Sequence, residues 1–571
     1  MANIDIPIGT SVATANTAID AAAAGDVIRF ERGGTYVGKV SINDSGASGN
    51  VITVTAYGTG ANPIITTRIE LPGWNTEGNW TDMGGNVWRK SLTINDQNTN
   101  FRFWLNGTEY ARSENAAEVT ITRRTSYNTD IIHQLYVYAT SNPALFYSSI
   151  EYNGTEQCAL LLNNNAYITI TDLDIGGGCG ACIDVDFASN IIIEDCNIGA
   201  GAGKIGIRAN GTCDNVIIRN NVIDSGDRTP NDFYTLWGIN DGIYMKGGCT
   251  NWRIYNNWIH DWGHSCIELS NVASGATDMT GNWIYENYLT AEFVDYCRGF
   301  TVDSLDGRDS SGNKVYRNYI HKTSINCQLN CEGLEVTYNI INEVRNSLTG
   351  PEGSGRGFDI SGYGGTSPVD MKVYNNVIAN CASEGIRVTR SSGYTEATGN
   401  EFINNIFYNN GDETPFGFDD PQIILAENGG TLTLGNTFQN NLLYKSGVTD
   451  RIFYDSRNAG NEFMTLAEFN ARNGVNNDVM SDNISDDPLF TDANNDFSLQ
   501  GGSPSIGAGL TLGASFEDAL LSGSTWPDGV LVGTQPTPWN IGSFVTGALQ
   551  KILYTHAGKL LVHDGKLLTV S

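Results

Sequence analysis

The amino-acid sequence predicts an all-β protein folded as a solenoid, in which similar coils stack around one continuous apolar core. Three observations predict this fold. The chain of 571 residues contains 66 glycines but only 14 prolines, and it is rich in asparagine, which is typical of a turn-rich β protein. One short phrase built around an asparagine recurs along the chain. A second phrase, in which apolar residues alternate with other residues, also recurs.

The first repeated phrase carries an asparagine at a fixed place, as in residues 219–223 (RNNVI) and 374–378 (YNNVI). An asparagine stacked on its counterpart in the next coil can donate an amide hydrogen bond along the column. The interval between copies varies while the phrase persists, so we expect the insertions to lie in loops. The aligned residues are Asn221, Asn257, Asn287, Asn318, Asn339, Asn376, Asn405 and Asn441.

The second phrase is a six-residue strand in which the third and fifth residues are nearly always Ile, Phe, Val, Leu or Met. Because side chains alternate between the two faces of a strand, these residues should point inward and the fourth and sixth outward. The outward positions of successive coils then form two external columns. The copies begin at residues 181, 205, 241, 265, 298, 325, 356 and 384.

The segments at either end and one in between depart from this rhythm. Residues 13–24 are rich in alanine and predict a helix that caps the core, and residues 71–150 contain four tryptophans and predict an inserted β subdomain. Near the end, Asp-Gly between two apolar stretches predicts a β-hairpin. We therefore predict an N-terminal cap with first coils at 1–70, the inserted subdomain at 71–150, the main solenoid at 151–510 and a C-terminal extension with the hairpin at 511–571.

On these repeats, the chain resembles right-handed parallel β-helix proteins, the pectate-lyase-like superfold, over most of residues 13–510. Residues 25–30 (GDVIRF) resemble the first coils of that family, and 487–490 (DPLF) resemble its closing coil. The acidic charge, the terminal hairpin and the lack of a visible export signal make the chain similar to bacteriophage tailspikes and depolymerases. The resemblance implies a bacterial cell-surface or marine polysaccharide as partner, a homotrimer, and a place in the virion tail or outside the cell.

The net charge of −30 argues against nucleic acid as a partner, because phosphate binding needs clustered Lys and Arg. No apolar run is long enough to predict membrane insertion. A neutral glycan is compatible with this charge, whereas an acidic one would need a bridging cation. The eleven cysteines are expected to be buried thiols.

Two carboxylates on the external columns form the candidate site of a glycoside hydrolase. Glu268 and Asp303 lie one coil and two positions apart, which predicts a Cα separation of about 8 Å. Such a hydrolase keeps one carboxyl group protonated as the acid and one ionised as the base or nucleophile. Asp359 and Asp306 are the reserve partners.

A polysaccharide lyase would use other residues of the same columns. Removal of a proton next to a uronate carboxyl group needs a base, for which Lys246, His264 and Tyr244 are candidates, and Arg298 could neutralise the acid. Asp241 lies beside them at a strand entrance. Arg387 is expected to bind an acidic group of the glycan or, as the favoured alternative, to pair with Glu384.

No cofactor and no metal site are predicted, although a lyase could recruit Ca²⁺. Carboxylates outnumber candidate bases on the central columns, so we favour a polysaccharide-degrading enzyme of hydrolase type over a lyase. A virion spike that binds glycan without cleaving it, and a purely structural β-helix, stay as alternatives because such scaffolds carry many functions.

Overall fold

Short strands, most of them parallel and three to a coil, build the solenoid. The computed structural model describes residues 1–92, 102–109, 112–113, 119, 125–128, 134–226, 241–271, 277–292, 294, 296–304, 308–347, 355–362, 366, 368–390, 397–411, 421–427, 434–457, 462–545, 561–563 and 566–568.

The chain divides into two compact units. Unit 1 comprises Met1–Met245, Ile259–Glu268 and Ala291–Cys297, and unit 2 comprises Lys246–Trp258, Leu269–Thr290 and Arg298–Ser571. In each unit we name the three sheets I, II and III in the order in which a coil enters them. The strands Asp241–Lys246 and Ser265–Ser270 of sheet I and Trp258–His260 of sheet III each contain residues of both units.

Unit 1 is a stack of parallel coils. Its sheet I contains Val40–Ile42, Cys158–Asn163, Ala181–Asp186, Ile205–Asn210 and Asp241–Lys246; sheet II contains Asn3–Ile6, Val27–Glu31, Ile52–Tyr57, Ala166–Thr171, Ser189–Glu194 and Cys213–Arg219; sheet III contains Thr35–Val37, Ile64–Thr66, Asp174–Gly176, Asn197–Ile198 and Val222–Asp224.

Unit 2 repeats the same plan. Its sheet I contains Arg298–Asp303, Cys327–Asn330, Phe358–Gly362, Ile386–Arg390, Ile423–Glu427, Phe453–Asp455 and, antiparallel, Glu462–Met464; sheet II contains Arg253–Tyr255, Trp283–Tyr285, Lys314–Tyr316, Glu335–Thr337, Lys372–Tyr374, Glu401–Ile403, Thr437–Gln439 and Val479–Ser481; sheet III contains Tyr288–Thr290, Tyr319–His321, Ile340–Asn342, Val377–Ala379, Ile406–Tyr408 and Leu442–Tyr444. A further short strand of unit 2 is Cys249–Thr250.

The predicted solenoid is confirmed, and the predicted columns are in register within each unit. The inward residues of sheet I, such as Ile183 and Val302, are fully buried. In register order, the fourth strand positions are Asp184, Arg208 and Tyr244 in unit 1, and Thr301, Gln328, Asp359 and Arg387 in unit 2.

The asparagine column forms a continuous amide ladder in unit 2. The Nδ2 of Asn287 donates to Oδ1 of Asn318 at 3.0 Å, and this Oδ1 also accepts the backbone N–H of Asn287 at 3.0 Å. The residue before each aligned asparagine has a left-handed backbone with φ between 51° and 60°, so the amide side chain satisfies the polar groups of a tight turn. The ladder runs through Asn257, Asn287, Asn318, Asn339, Asn376, Asn405, Asn441 and Asn483.

The helix Val12–Ile19 lies at the N-terminal end of unit 1 and buries Val12, Ala15 and Ile19. The Ser11 side chain caps it by accepting the backbone N–H of Thr14. None of the helices in the described ranges has the length and apolar character needed to cross a bilayer. All eleven cysteines are buried thiols, as expected.

The inserted segment of unit 1 has an apolar core of its own, which includes Trp74, Trp80 and Leu135. It contains the short helices Glu77–Asn79 and Pro143–Phe146. One sheet contains Ile69–Glu70, Phe103–Leu105, Thr108–Glu109 and Ile150–Tyr152; the other contains Thr81–Asp82, Val87–Ser91, Arg112–Ser113, Thr125–Asn128 and Gln134–Tyr138.

The segment 484–545 of unit 2 covers the outer face of sheet III. Ile340 and Val377 on that face pack in one cluster with Phe490 and Phe544 of the covering segment. The Trp526 Nε1 also donates to the backbone oxygen of Arg317 at 2.7 Å. The remaining elements of unit 2 are the helices Leu466–Ala471, Val475–Asn477 and Ala514–Phe516 and the strands Phe490–Asp492, Asp496–Leu499, Asp518–Leu521, Val532–Thr534, Phe544–Val545, Leu561–His563 and Lys566–Leu568.

We predict that Asn318→Ala lowers the free energy of unfolding by roughly 3 kcal/mol, because it leaves the buried carbonyl of Ile284 and the amides of Asn287 without their partner. Urea denaturation followed by circular dichroism would measure this. The control is Asn43→Ala, which removes one exposed hydrogen bond to Asp20 and should change stability by a few tenths of a kcal/mol. Equal effects of the two substitutions would contradict a structural role for the ladder.

Candidate functional site

Three of the predicted site residues meet in unit 1. The Nδ1 of His264 lies 3.0 Å from Oδ1 of Asp241 and 2.9 Å from Oε2 of Glu268. One imidazole nitrogen is therefore within hydrogen-bonding distance of two carboxylates. We call Asp241, His264 and Glu268 the carboxylate–histidine cluster.

The strand pattern explains why these side chains converge. Glu268 is the fourth residue of Ser265–Ser270, between the inward Ile267 and Leu269, so its side chain leaves the core. His264 directly precedes that strand, and Asp241 begins the strand Asp241–Lys246. The cluster therefore forms at the entrance of sheet I.

The turn before His264 is held by a buried tryptophan. The Trp262 side chain is fully buried, and its Nε1 donates to the backbone oxygen of Ile223 at 3.1 Å. A buried indole that is both packed and hydrogen-bonded has little freedom to move. We infer that Trp262 helps to fix the direction from which His264 enters the cluster.

The three side chains differ in exposure. The His264 side chain is 32% exposed, that of Glu268 is 13% exposed and that of Asp241 is 3% exposed. Only His264 and Glu268 are thus placed to touch a ligand. Asp241 lies beneath them.

Burial and charge perturb the buried member of the cluster. Burial raises the pKa of Asp241, the negative charge of Glu268 raises it further, and His264 opposes both, with a net result of about 7. A carboxyl group whose pKa lies near 7, beside a second carboxylate, is a common arrangement in acid–base catalysis.

Aromatic and thiol groups surround the cluster within unit 1. The ring of Tyr296 stacks on that of His264 with a centroid distance of 6.4 Å and an interplanar angle of 18°. Cys266 and Cys297 place their sulfur atoms 3.7 Å apart. Cys266 belongs to the strand that carries Glu268.

The cluster can move a proton, and its donor atoms would also suit a divalent cation. Two ionised carboxylates leave a formal charge of −2 beside a neutral imidazole and of −1 beside a protonated one, and either charge favours a positively charged species nearby. One nitrogen and two carboxylate oxygens, all within 4.8 Å of one another, are typical ligands of divalent metal ions. The sequence predicted no metal site, and it did not predict that these three residues touch.

A second cluster of unit 1 was also missed. The Nδ1 of His260 lies 2.9 Å from Oδ2 of Asp261 and 3.6 Å from Oδ1 of Asp224. Burial lowers the pKa of His260, but its hydrogen bond with Asp261 and the charge of Asp224 outweigh burial and raise it. Asp224 comes from one coil, and His260 and Asp261 come from the next. The spacing of the repeated Asn phrase does not show which side chains of two coils meet.

Two further predicted residues, Tyr244 and Lys246, lie on the strand that Asp241 begins. Tyr244 is partly exposed and pairs in register with Arg208. Arg208 forms a bidentate ion pair with Asp184, with distances of 2.7 and 2.8 Å. Lys246 is partly exposed at the end of its strand, and its role as a lyase base stays a prediction.

In unit 2, Asp303 accepts hydrogen bonds from two amides of the next strand. These come from Asn330 at 3.0 Å and Gln328 at 3.3 Å. Glu268 belongs to unit 1 and Asp303 to unit 2, so their predicted action as a catalytic pair stays a prediction. The reserve residue Asp306 lies outside the described residues.

A polar row connects the predicted residues Arg298 and Asp359 in unit 2. The Nε of Arg298 donates to Asn326 at 3.1 Å, and Asn326 donates to Oδ2 of Asp359 at 3.0 Å. Arg356 lies 3.3 Å from the same carboxylate oxygen. Asp359 is therefore engaged by an amide and a guanidinium.

The favoured pairing of Arg387 with Glu384 was wrong. Glu384 instead accepts from Nε of Arg356 at 2.7 Å. Glu384 precedes the strand Ile386–Arg390, and Arg356 lies at the equivalent place one coil earlier. Arg387 is the outward residue of the strand and pairs in register with Asp359. Its role in binding a glycan stays a prediction.

Comparisons with known proteins agree with the fold. The model of the right-handed β-helix region matches residues 135–304 and 241–443. No curated protein sequence matches the chain.

Three solved structures illustrate the structural similarity. A complex of XylC with xylose is 15% identical, with a TM-score of 0.47 over 82% of this chain and 78% of that chain. An alginate lyase from Paenibacillus sp. strain FPU-7 is 13% identical, with a TM-score of 0.37 over 71% and 94%. A tailspike of Pseudomonas phage phi297 is 10% identical, with a TM-score of 0.38 over 78% and 71%. Likeness at this level does not identify an activity.

We predict that Asp241 makes stability fall as pH rises from about 4 to 7. The pKa of Asp241 is about 7 in the folded state against 3.8 for an ordinary Asp, so between these values the folded state retains a proton that the unfolded state releases. Each pKa unit corresponds to about 1.4 kcal/mol. Asp241→Asn should remove this fall, which urea denaturation at several pH values would measure.

The matched control is Asp82→Asn, because Asp82 is an exposed carboxylate of the same unit. It should keep the pH dependence of the wild-type protein. A wild-type pH dependence in Asp241→Asn would show that Asp241 does not retain a proton in the folded state.

Proposed function

We propose that this chain, which belongs to the right-handed β-helix family, is a polysaccharide-degrading enzyme of glycoside hydrolase type that acts on a neutral glycan. The observation that supports this proposal is the carboxylate–histidine cluster, in which His264 lies between Glu268 and the buried Asp241. The outward columns of a solenoid offer a long wall along which a polymer can lie.

Glu268 is the proposed acid. It gives a proton to the glycosidic oxygen as the bond from that oxygen to the anomeric carbon breaks. Water then adds to the anomeric carbon and gives a proton to the imidazole of His264. His264 returns a proton to Glu268 for the next cycle, because its Nδ1 lies 2.9 Å from Oε2 of Glu268. Asp241 is a positioning residue, since it orients His264 and shares the proton without reaching the surface.

The charge of the cluster favours hydrolysis over elimination. The transition state of glycoside hydrolysis carries positive charge on the sugar ring, which nearby carboxylates stabilise. Elimination on a uronate instead accumulates negative charge next to an existing carboxylate, which the same groups would repel. The net charge of −30 acts in the same direction.

We predict that Glu268→Gln lowers the rate of polysaccharide cleavage by at least about 100-fold while glycan binding persists, because the amide cannot donate the proton that the acid supplies. Cleavage of a polysaccharide panel would be followed by the release of reducing ends. Asp241→Asn should lower the cleavage rate less than Glu268→Gln does. It should also shift the pH profile of that rate, as expected of a positioning residue.

Asp186→Asn is the control, because Asp186 is a partly exposed carboxylate of the same sheet that accepts from Asn210 outside the cluster. It should retain wild-type cleavage.

Asp303→Asn tests the second carboxylate expected from the sequence, and wild-type activity of this variant would remove Asp303 from the mechanism. Full activity of Glu268→Gln would overturn the proposed function, and products with the ultraviolet absorbance of an unsaturated uronate would replace it with a lyase.

We also propose that the protein is a homotrimer. We propose that it belongs to a virion tail or is an extracellular enzyme. The strands Leu561–His563 and Lys566–Leu568 form a two-stranded antiparallel sheet, and such a sheet is marginal in water without further packing. A chain that ends at Val545 should therefore sediment as a monomer, whereas the full chain should sediment at three times the mass of one chain. A monomeric full chain would contradict the trimer.

A further inference from the structure

Unit 1 contains a groove that the proposed catalysis does not use. It has a volume of about 600 Å³ and lies on the outer face of sheet III, whereas the carboxylate–histidine cluster lies at sheet I. This volume is within the range of sites that bind small ligands. Its base is formed by the strands Thr35–Val37, Ile64–Thr66, Asp174–Gly176, Asn197–Ile198 and Val222–Asp224.

The groove has an aliphatic floor. In these short strands the middle residue enters the core, as Tyr36 and Ile65 do, and the outer residues face the groove. Val37 is 47% exposed and Ile64 is 41% exposed. The two lie at opposite ends of neighbouring strands, since Val37 pairs with Thr66 and Ile64 with Thr35. Exposed aliphatic side chains inside a groove are typical of a surface that binds a partly apolar ligand.

Hydrogen-bonding groups are interspersed with this floor. The Oδ1 of Asp174 accepts from Nδ2 of Asn197 at 2.7 Å, and both side chains line the groove. Asp224 also lines the groove, two coils from Asp174, and is 35% exposed. These carboxylates are acceptors for hydroxyl donors, and two coil steps of about 4.8 Å place them about 10 Å apart across the strands.

The inserted segment supplies one wall. The Nε of Arg68 lies 3.0 Å from Oε2 of Glu151, and both residues line the groove. The Arg68 guanidinium also lies over the ring of Trp104 at 4.5 Å. Because the ion pair and the aromatic contact hold Arg68 from two sides, the wall is a preformed surface.

We propose that this groove binds a neutral oligosaccharide segment as a second glycan site of unit 1. A sugar ring presents C–H groups on its faces and hydroxyl groups at its rim, which match an aliphatic floor that carries acceptors. Arg68 and Glu151 neutralise each other, and Asp174 accepts from the neutral amide of Asn197, so the charge of Asp174 makes the groove unfavourable for a uronate. The choice of a glycan ligand rests on the proposed function, whereas the groove itself does not.

The test is isothermal titration of the full chain carrying Glu268→Gln, which prevents cleavage, with xylohexaose, cellohexaose, maltohexaose and hexagalacturonate. At least one neutral probe should bind. Val37→Glu should weaken that binding at least tenfold by filling the groove with a charged side chain. Asp174→Ala should weaken it about fivefold, as expected for one lost hydrogen bond.

The control is Val51→Glu, because Val51 is 39% exposed in the same unit and does not line the groove. It should bind like the parent protein. The proposal is overturned if no neutral probe binds, if Val37→Glu binds like Val51→Glu, or if hexagalacturonate binds most tightly.

The two proposals fail separately. If Glu268→Gln cleaves normally while Val37→Glu weakens binding, the catalytic assignment is wrong and the groove stands. If Glu268→Gln abolishes cleavage while Val37→Glu binds like the control, the catalytic assignment stands and the groove is overturned.

Discussion

The structure depends on the hydrogen bonds that one coil makes with the next at its tightest corner. A turn with left-handed backbone leaves polar groups inside the protein, where water cannot reach them. In unit 2, the amide of each ladder asparagine bonds to backbone carbonyls and to the next amide in the column. An asparagine is suited to this because it donates and accepts at the same time. The ladder therefore fixes the corner of each coil without restricting the length of the loops.

A fixed corner has consequences for the outer surface. Because the coils stay in register, a residue that faces outward in one coil has a defined neighbour in the next, as Asp184 has Arg208 and Asp359 has Arg387. Chemistry can then be assembled from residues that are distant in sequence. The carboxylate–histidine cluster joins residues from two coils in this way, and the inserted segment similarly turns an open sheet into a groove.

The sequence predicted the fold well because both signals are local and repeated. The period-two alternation identified the strands of sheet I, and the Asn phrase identified the ladder. A second amide column, which includes Asn282 and Asn400, was missed because its phrase is less regular.

The site was predicted less well. Asp241, His264 and Glu268 were each candidates, but their contact depends on the course of the turn before His264, and strand spacing contains no information about that turn. Arg387 was assigned to Glu384 because they are close in sequence, whereas a residue of the neighbouring coil takes that carboxylate. The groove depends on an insertion whose packing no repeat describes.

The cover over sheet III of unit 2 has a consequence for biosynthesis. Ile340, Val377 and Leu442 lie in coils that are translated well before the segment 484–545 that buries them. During translation, these coils can close their own core but must expose a row of aliphatic side chains to the cytosol. Exposed apolar surface of this kind favours aggregation, so the covering segment protects these coils once it has been made.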